Sequence, residues 1–161
     1  VKVHDAVVRA EQGDIVERVW REQGQKLWRS LAAFTGDPDL ASDAMAEAFA
    51  QALGRGEAVE VPERWIWRAA FRIASGELKI RSQNRPELLL DATALPEPVI
   101  DLVRALKTLS PQQRGAVILH LYADLPAREV ARILGCSQAT VRVHISQARR
   151  RLRPLLEGHD D

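Results

Sequence analysis

Leu125-Pro-Ala-Arg-Glu-Val-Ala-Arg-Ile-Leu-Gly-Cys-Ser-Gln-Ala-Thr-Val-Arg-Val-His-Ile-Ser-Gln-Ala-Arg-Arg-Arg-Leu-Arg153 is the stretch that decides the fold of this 161-residue chain. It reads as a helix, a tight turn and a second, strongly basic helix. That is the layout of a helix-turn-helix, whose second helix lies in the DNA major groove. Ala131 is small where two helices must cross. Gly135 stands at the turn, where a positive φ costs glycine little. Ser137 is placed to cap the second helix by accepting from the N–H of Ala139 or Thr140. Val141 and Ile145 face inward, which turns Gln138, Ala139, Arg142 and either His144 or Ser146 outward. Gln pairs with adenine and Arg with guanine, each good pair giving roughly 1–3 kcal/mol of discrimination. Arg149, Arg150, Arg151 and Arg153 lie further along, at phosphate distance, where affinity is salt-sensitive and sequence-blind. A basic amphipathic helix on an acidic protein or lipid surface is the competing reading.

The net charge of +1 conceals a division. Residues 104–156 hold ten Lys/Arg and two acids, whereas residues 1–103 hold thirteen bases and seventeen acids. A basic C-terminal module beside an acidic N-terminal one points to two partners of different kinds. With 46% hydrophobic and 28% charged residues the chain is expected to fold. Cys136 is the sole cysteine, so no intrachain disulfide forms and a reducing compartment fits. No apolar run approaches the ~20 residues of a membrane span, and the N-terminus has no signal-peptide core. A cytoplasmic protein without membrane insertion is the expectation. His4, His120, His144 and His159 lack metal-ligand spacing, and neither a nucleophile–base pair nor a phosphate loop is present. No cofactor, no metal and no enzymatic activity are therefore expected.

Every periodic segment is helical, so the expected fold is all-α. Asp14 is placed to cap a helix towards Phe34, with Ile15, Val19, Leu27 and Leu31 inward and Gly24 as a weak point. Asp37-Pro38 restarts the chain as N-cap and first helical residue, and Gly54 is the expected stop. Pro62 opens a helix from about Glu63 to Arg81, with Ile66, Ala69, Ala70, Ile73 and Ala74 as its apolar stripe. Arg64, Arg68 and Arg72 repeat every four residues on another face. Residues 83–98 contain Pro86, Pro96 and Pro98 and read as a flexible linker, with Leu88 to Leu90 in a groove or against a domain. Ser110-Pro-Gln-Gln113 is a capping box with Pro at the first helical position. Val117, Ile118, Leu121 and Tyr122 are the expected buried face there. Two small helical domains result, 1–82 and 99–161.

Leu109-Ser-Pro-Gln-Gln-Arg-Gly-Ala-Val-Ile-Leu-His-Leu-Tyr-Ala-Asp-Leu-Pro-Ala-Arg-Glu-Val-Ala-Arg-Ile-Leu-Gly135, then Ala139-Thr-Val-Arg142 and Ala148-Arg-Arg-Arg-Leu152, resemble the C-terminal domain of extracytoplasmic-function (ECF) sigma factors of the sigma-70 family. Gly36-Asp-Pro-Asp-Leu-Ala-Ser-Asp-Ala-Met-Ala-Glu-Ala-Phe49 resembles their clamp-binding segment, and Trp65-Ile-Trp-Arg-Ala-Ala-Phe-Arg-Ile-Ala74 their −10 helix. The resemblance implies a subunit that binds core RNA polymerase and directs promoter recognition and melting. It implies docking on the β′ clamp helices through Leu40, Asp43, Ala44, Glu47 and Gln51, a contact with the β flap, and possible capture by an anti-sigma factor. The −10 element would be held by Arg55 and Glu57 of the loop and by Arg64, Arg68 and Arg72. Trp67 and Phe71 either stack on exposed bases, at roughly 1–3 kcal/mol per base, or pack in the core; Trp20, Trp28 and Trp65 are read as core. The −35 element would be read by Gln138, Ala139, Thr140, Arg142, Val143, His144 and Ser146, with Arg149, Arg150 and Arg151 on the phosphates. Ser42, Ala46, Arg72, Gly76, Pro126, Ala139, Val143, His144 and Ser146 depart from the family's usual residues. Asp124 is the expected substitute cap for Pro126.

Overall fold

The computed structural model describes residues 2–84 and 97–157, with the side chains of Glu57, 82–84 and 97–99 left aside. The expected linker, Leu88 to Leu90 within it, and most of the tail lie outside the described residues. All described secondary structure is helical. Helix α1 spans Lys2–Thr35, α2 Pro38–Arg55 and α3 Pro62–Asn84, with a single 3-10 turn Gly56–Ala58 between the last two. Helix α4 spans Glu97–Lys107, α5 Pro111–Val117, α6 Ala127–Leu134 and α7 Gln138–Glu157.

Helices α1, α2 and α3 pack on one another around Leu27, Leu31, Phe34, Ala41, Ala48, Ile66 and Ala70. Asp37 caps α2 as its sequence requires: Oδ1 accepts from the N–H groups of Asp39 at 2.9 Å and Leu40 at 3.1 Å. Helix α1 starts twelve residues before Asp14, because nothing in 2–13 breaks a helix and only Gly13 weakens it. Its inward face runs Val16, Val19, Leu27, Leu31, Phe34, so Ile15 falls one residue out of phase and is partly exposed. Helix α1 runs unbroken through Gly24, which is buried; a Cβ there would stand 3.3 Å from Met45 Cε of α2. Helix α2 ends one residue beyond Gly54; Gly56, at φ 54°, turns the chain and donates its N–H to Ala52.

In the second half the Ser110–Gln113 capping box is present with both reciprocal bonds, each 3.2 Å. Past Val117 the helix widens into a π-type turn over Ile118–Tyr122. The extra residue shifts the phase. Leu119 goes fully inside, and Leu121 and Tyr122, expected in the core, are about half exposed at 50% and 48%. Pro126 starts α6 with no side-chain cap bond, so Asp124 does not replace the missing hydroxyl; it takes a left-handed φ of 57° at the turn before it.

The two halves share one buried cluster, with Leu106, Ala116, Leu119, Val130 and Val141 continuous with the α1–α3 core. Phe34, at the end of α1, lies under the Arg114 guanidinium of α5, 5.5 Å from the ring centre. Helix α6 packs across α3. No helix among the described residues is long and apolar enough to cross a membrane.

Candidate nucleic-acid interface

The turn between α6 and α7 is built from three residues. Gly135 adopts φ 70°, ψ 37°, the left-handed C-cap, and its N–H reaches Ala131. Cys136 N–H also bonds Ala131, at 3.0 Å. Ser137 Oγ accepts from the Thr140 N–H at 3.1 Å and starts α7. Burial pushes the Cys136 thiol up, away from the reactive thiolate, and suits a turn-packing role.

Val141, Ile145, Ala148 and Leu152 form the buried stripe of α7. Gln138, Ala139, Arg142, Val143, Ser146, Arg149 and Arg150 stand on its exposed face. Three residues expected there are otherwise engaged. Thr140 is half-buried and its hydroxyl lies 2.8 Å from that of Ser137. His144 turns partly inward with Nδ1 buried and unpartnered, which leaves Ser146 as the outward one of the pair. Arg151 Nη1 donates to the Thr108 carbonyl at 2.8 Å, tying α7 to the end of α4. His120, Arg142, Ser146, Arg149, Arg150 and Arg153 line a concavity of ~440 Å³. His120 comes from the π-type turn; its position 22 residues before Arg142 carries no linear signal that could have placed it there.

On α3, Arg64, Arg68 and Arg72 are exposed along one face, as their spacing requires. Trp67 and Phe71 are not base-stacking platforms. They are 3% and 1% exposed, with rings stacked 6.3 Å apart, Phe71 against Phe34 at 5.2 Å, and Trp67 Nε1 donating to Gln23 at 2.8 Å. Residues 66, 67, 70, 71 and 74 share the inward phase of a 3.6-residue period, and the arginine face lies on the other side. Trp65 is half-buried beneath the Arg55 guanidinium at 5.3 Å. Trp20 departs from the core expectation: it is exposed and meets Phe49 edge-on at 4.8 Å. Trp28 is half-buried and donates to Ser42 at 2.9 Å.

Arg55 lies in a concavity of ~590 Å³ shared with Gly54, Gly56 and Ala58, whose far wall is Asp5 and Arg9 of α1. That wall belongs to the turns of α1 that precede Asp14. Buried Val59 anchors the loop, and its carbonyl accepts from Gln12 at 3.5 Å. The Glu57 side chain lies outside what is described. On α2, Asp43 and Glu47 are exposed and Gln51 donates to Glu47 at 2.8 Å. Leu40 and Ala44 belong instead to the core, 2% and 1% exposed, because they share the phase of Ala41 and Ala48. Among the described residues no group of three or more His, Cys, Asp or Glu is placed to hold a metal.

The family model for sigma-70, region 4 matches residues 100–152. The RNA polymerase sigma-E factor of Streptomyces coelicolor is 28% identical over 89% of this chain and 87% of that protein. The ECF RNA polymerase sigma factor SigC of Mycobacterium tuberculosis is 26% identical over 85% of this chain and 80% of its own length. Among solved structures, the sigma factor RpoE in complex with the anti-sigma factor NepR from Bartonella quintana superposes with a TM-score of 0.72 at 21% identity. That superposition covers 90% of this chain and 99% of the other, so the fold is shared across both halves.

Proposed function

The chain belongs to the extracytoplasmic-function branch of the sigma-70 family, and from that premise we propose that it is a dissociable initiation subunit that joins core RNA polymerase and selects its promoters. The observation that carries this reading is the region-4 match over 100–152, which falls on a helix-turn-helix whose exposed face bears Arg142, Arg149 and Arg150. Helix α7 reads the −35 element: Gln138, Ala139, Arg142, Val143 and Ser146 at base edges, Arg149 and Arg150 on phosphates. Helix α3 and the Arg55 loop hold the −10 element through Arg64, Arg68 and Arg72. The acidic face of α2, with Asp43 and Glu47 outward, docks on the β′ clamp helices, and the C-terminal unit meets the β flap. The working division is 1–82 for polymerase and −10 contacts and 99–161 for the −35 element, with 83–98 as linker.

The chain supplies no chemistry of its own in this scheme and needs no cofactor; the polymerase is the catalyst. It acts where that enzyme acts, in the cytoplasm. The RpoE structure holds an anti-sigma factor, and a partner of that kind is proposed here too. The test is transcription from a genomic promoter library by core polymerase with and without the purified chain. New start sites sharing a −35 and −10 pair are the expected result; unchanged starts and no stable complex with core would sink the reading. Asp43→Arg with Glu47→Arg is expected to abolish core binding while leaving DNA affinity in place.

A further inference from the structure

Helix α7 turns its apolar stripe of Val141, Ile145, Ala148 and Leu152 inward. At about 100° per residue, Ala139 and Val143 stand about 160° and 200° around the axis from Val141, at the centre of the opposite face. Arg150 continues that line about two turns beyond Val143. Val143 is 52% exposed and lies outside the buried cluster and the side chains packed on it. Ala139 is exposed as well. Packing within the fold therefore does not account for an isopropyl group at the centre of the outer face of a basic helix. A β-branched side chain does not favour the helix either.

The polar groups beside this line form two shoulders. On one stand Gln138, Arg142 and Arg149, all exposed, with Ser146 between them and the line. The concavity that Arg142 and Arg149 share with His120 opens on the same side. On the other shoulder the polar groups are already bonded within the protein. Thr140 Oγ1 lies 2.8 Å from Ser137 Oγ, and Gln147 Oε1 accepts from Gln113 at 3.0 Å. Helix α7 thus offers DNA a hydrogen-bonding edge on one side and two apolar side chains in the middle. Base pairs show one apolar group in the major groove, the C5-methyl of thymine.

We propose that Val143, with Ala139 one turn before it, is a specificity-determining contact to thymine. Its isopropyl group covers the C5-methyl of a thymine in the −35 element, beside the base pair whose guanine Arg142 bonds. Cytosine has no methyl at that place, and its N4 amine would lie against hydrocarbon without an acceptor. The proposal rests on the reading of α7 as the −35 helix and names the base that the apolar centre of that helix takes.

The experiment uses the intact chain and a random duplex DNA library, from which the chain selects its own site. Each thymine of the selected duplex is then replaced in turn by deoxyuridine, which lacks only the C5-methyl and pairs in the same way. At a thymine beside the guanine that Arg142 reads, the replacement is expected to weaken binding about fourfold, the worth of one buried methyl group. Val143→Ser removes both methyl groups of the side chain at an exposed position. It is expected to distinguish the thymine and deoxyuridine duplexes by less than about 1.5-fold, because the two changes remove the same contact. A fourfold ratio that persists in Val143→Ser overturns the proposal, as does a selected site in which no thymine responds to deoxyuridine. Arg142→Ala separates this from the parent reading. A selected site that depends on Arg142 and on no thymine methyl removes the thymine contact and leaves α7 as the −35 helix. A library that yields no site removes both.

Discussion

Helices α3 and α7 carry the same kind of arginine stripe, and the fold treats the two differently. Arg142, Arg149 and Arg150 of α7 are exposed, with no carboxylate partner among the described residues. On α3, Arg64 is paired with Glu129 and Arg81, in the last turn, with Asp37. Helix α7 therefore presents a bare positive field, which steers and retains polyanions from a distance. Helix α3 presents a field partly neutralised from within. The difference lies in neighbours rather than in composition.

The two helices also differ in what their large side chains do, and Trp67→Ala is the severest test of that. With Trp67 buried against Phe71 and bonded to Gln23, the variant is expected to lose about 3–5 kcal/mol of stability. Chemical denaturation measures it. Unchanged stability with lost DNA binding would return Trp67 to the surface and break the contrast.

Arg142→Ala addresses the open helix. It is expected to cost about 1–3 kcal/mol of discrimination at one −35 position, leaving core-polymerase affinity unaltered. Binding to promoter variants in parallel with core titration checks both halves of that statement. An equal loss of polymerase binding would mean that α7 is not a dedicated DNA surface.

Asp37→Asn sharpens the comparison at the far end of α3, with a smaller effect of at most about 1 kcal/mol, since Asn caps a helix as well as Asp and only the charge opposite Arg81 is lost. Partial burial raises the Asp37 carboxyl, but bonds from the Leu40 and Asp39 N–H groups and from Arg81, with the latter's charge, outweigh it and hold the group below its ordinary 3.8. A carboxylate depressed in the folded state adds stability above its unfolded pKa, and that stability is lost as pH falls through the folded one. Unfolding midpoints of the unmodified chain and of Asp37→Asn are thus expected to differ at pH 7 and to converge below pH 3.8, towards the depressed value. A gap persisting at low pH would show that the carboxylate's charge is not what Asp37 contributes.

Local chemistry was legible wherever a turn or cap is written in adjacent residues. Ser110-Pro-Gln-Gln113, Asp37-Pro38 and Gly135-Cys-Ser137 each do what their spacing requires, because the groups that must bond lie within four residues of each other. That the acids of α2 and the arginines of α3 and α7 stand outward was legible from phase alone. Phase misled where it shifted: one extra residue in the turn over Ile118–Tyr122 moved Leu121 and Tyr122 outward, and no residue type announces such a turn. It also failed to choose between Trp67 as a platform and Trp67 as core. An apolar ring four residues from another suits either role, and only the position of α1 decides which.

By itself the sequence determined an all-helical chain, a capped helix-turn-helix, a basic second half and an acidic first one. Those follow from period, capping chemistry and charge, which act over a few residues or over the whole sum. Only the tertiary structure decided that Phe34 meets Arg114, that Asp5 and Arg9 wall the Arg55 loop, and that Glu129 sits on Arg64. Those pairs join side chains 80, 50 and 65 positions apart at the most, and no local preference links them. Packing of one helical unit on the other brings them together, and with that packing comes the difference between an arginine stripe that is open and one that is held.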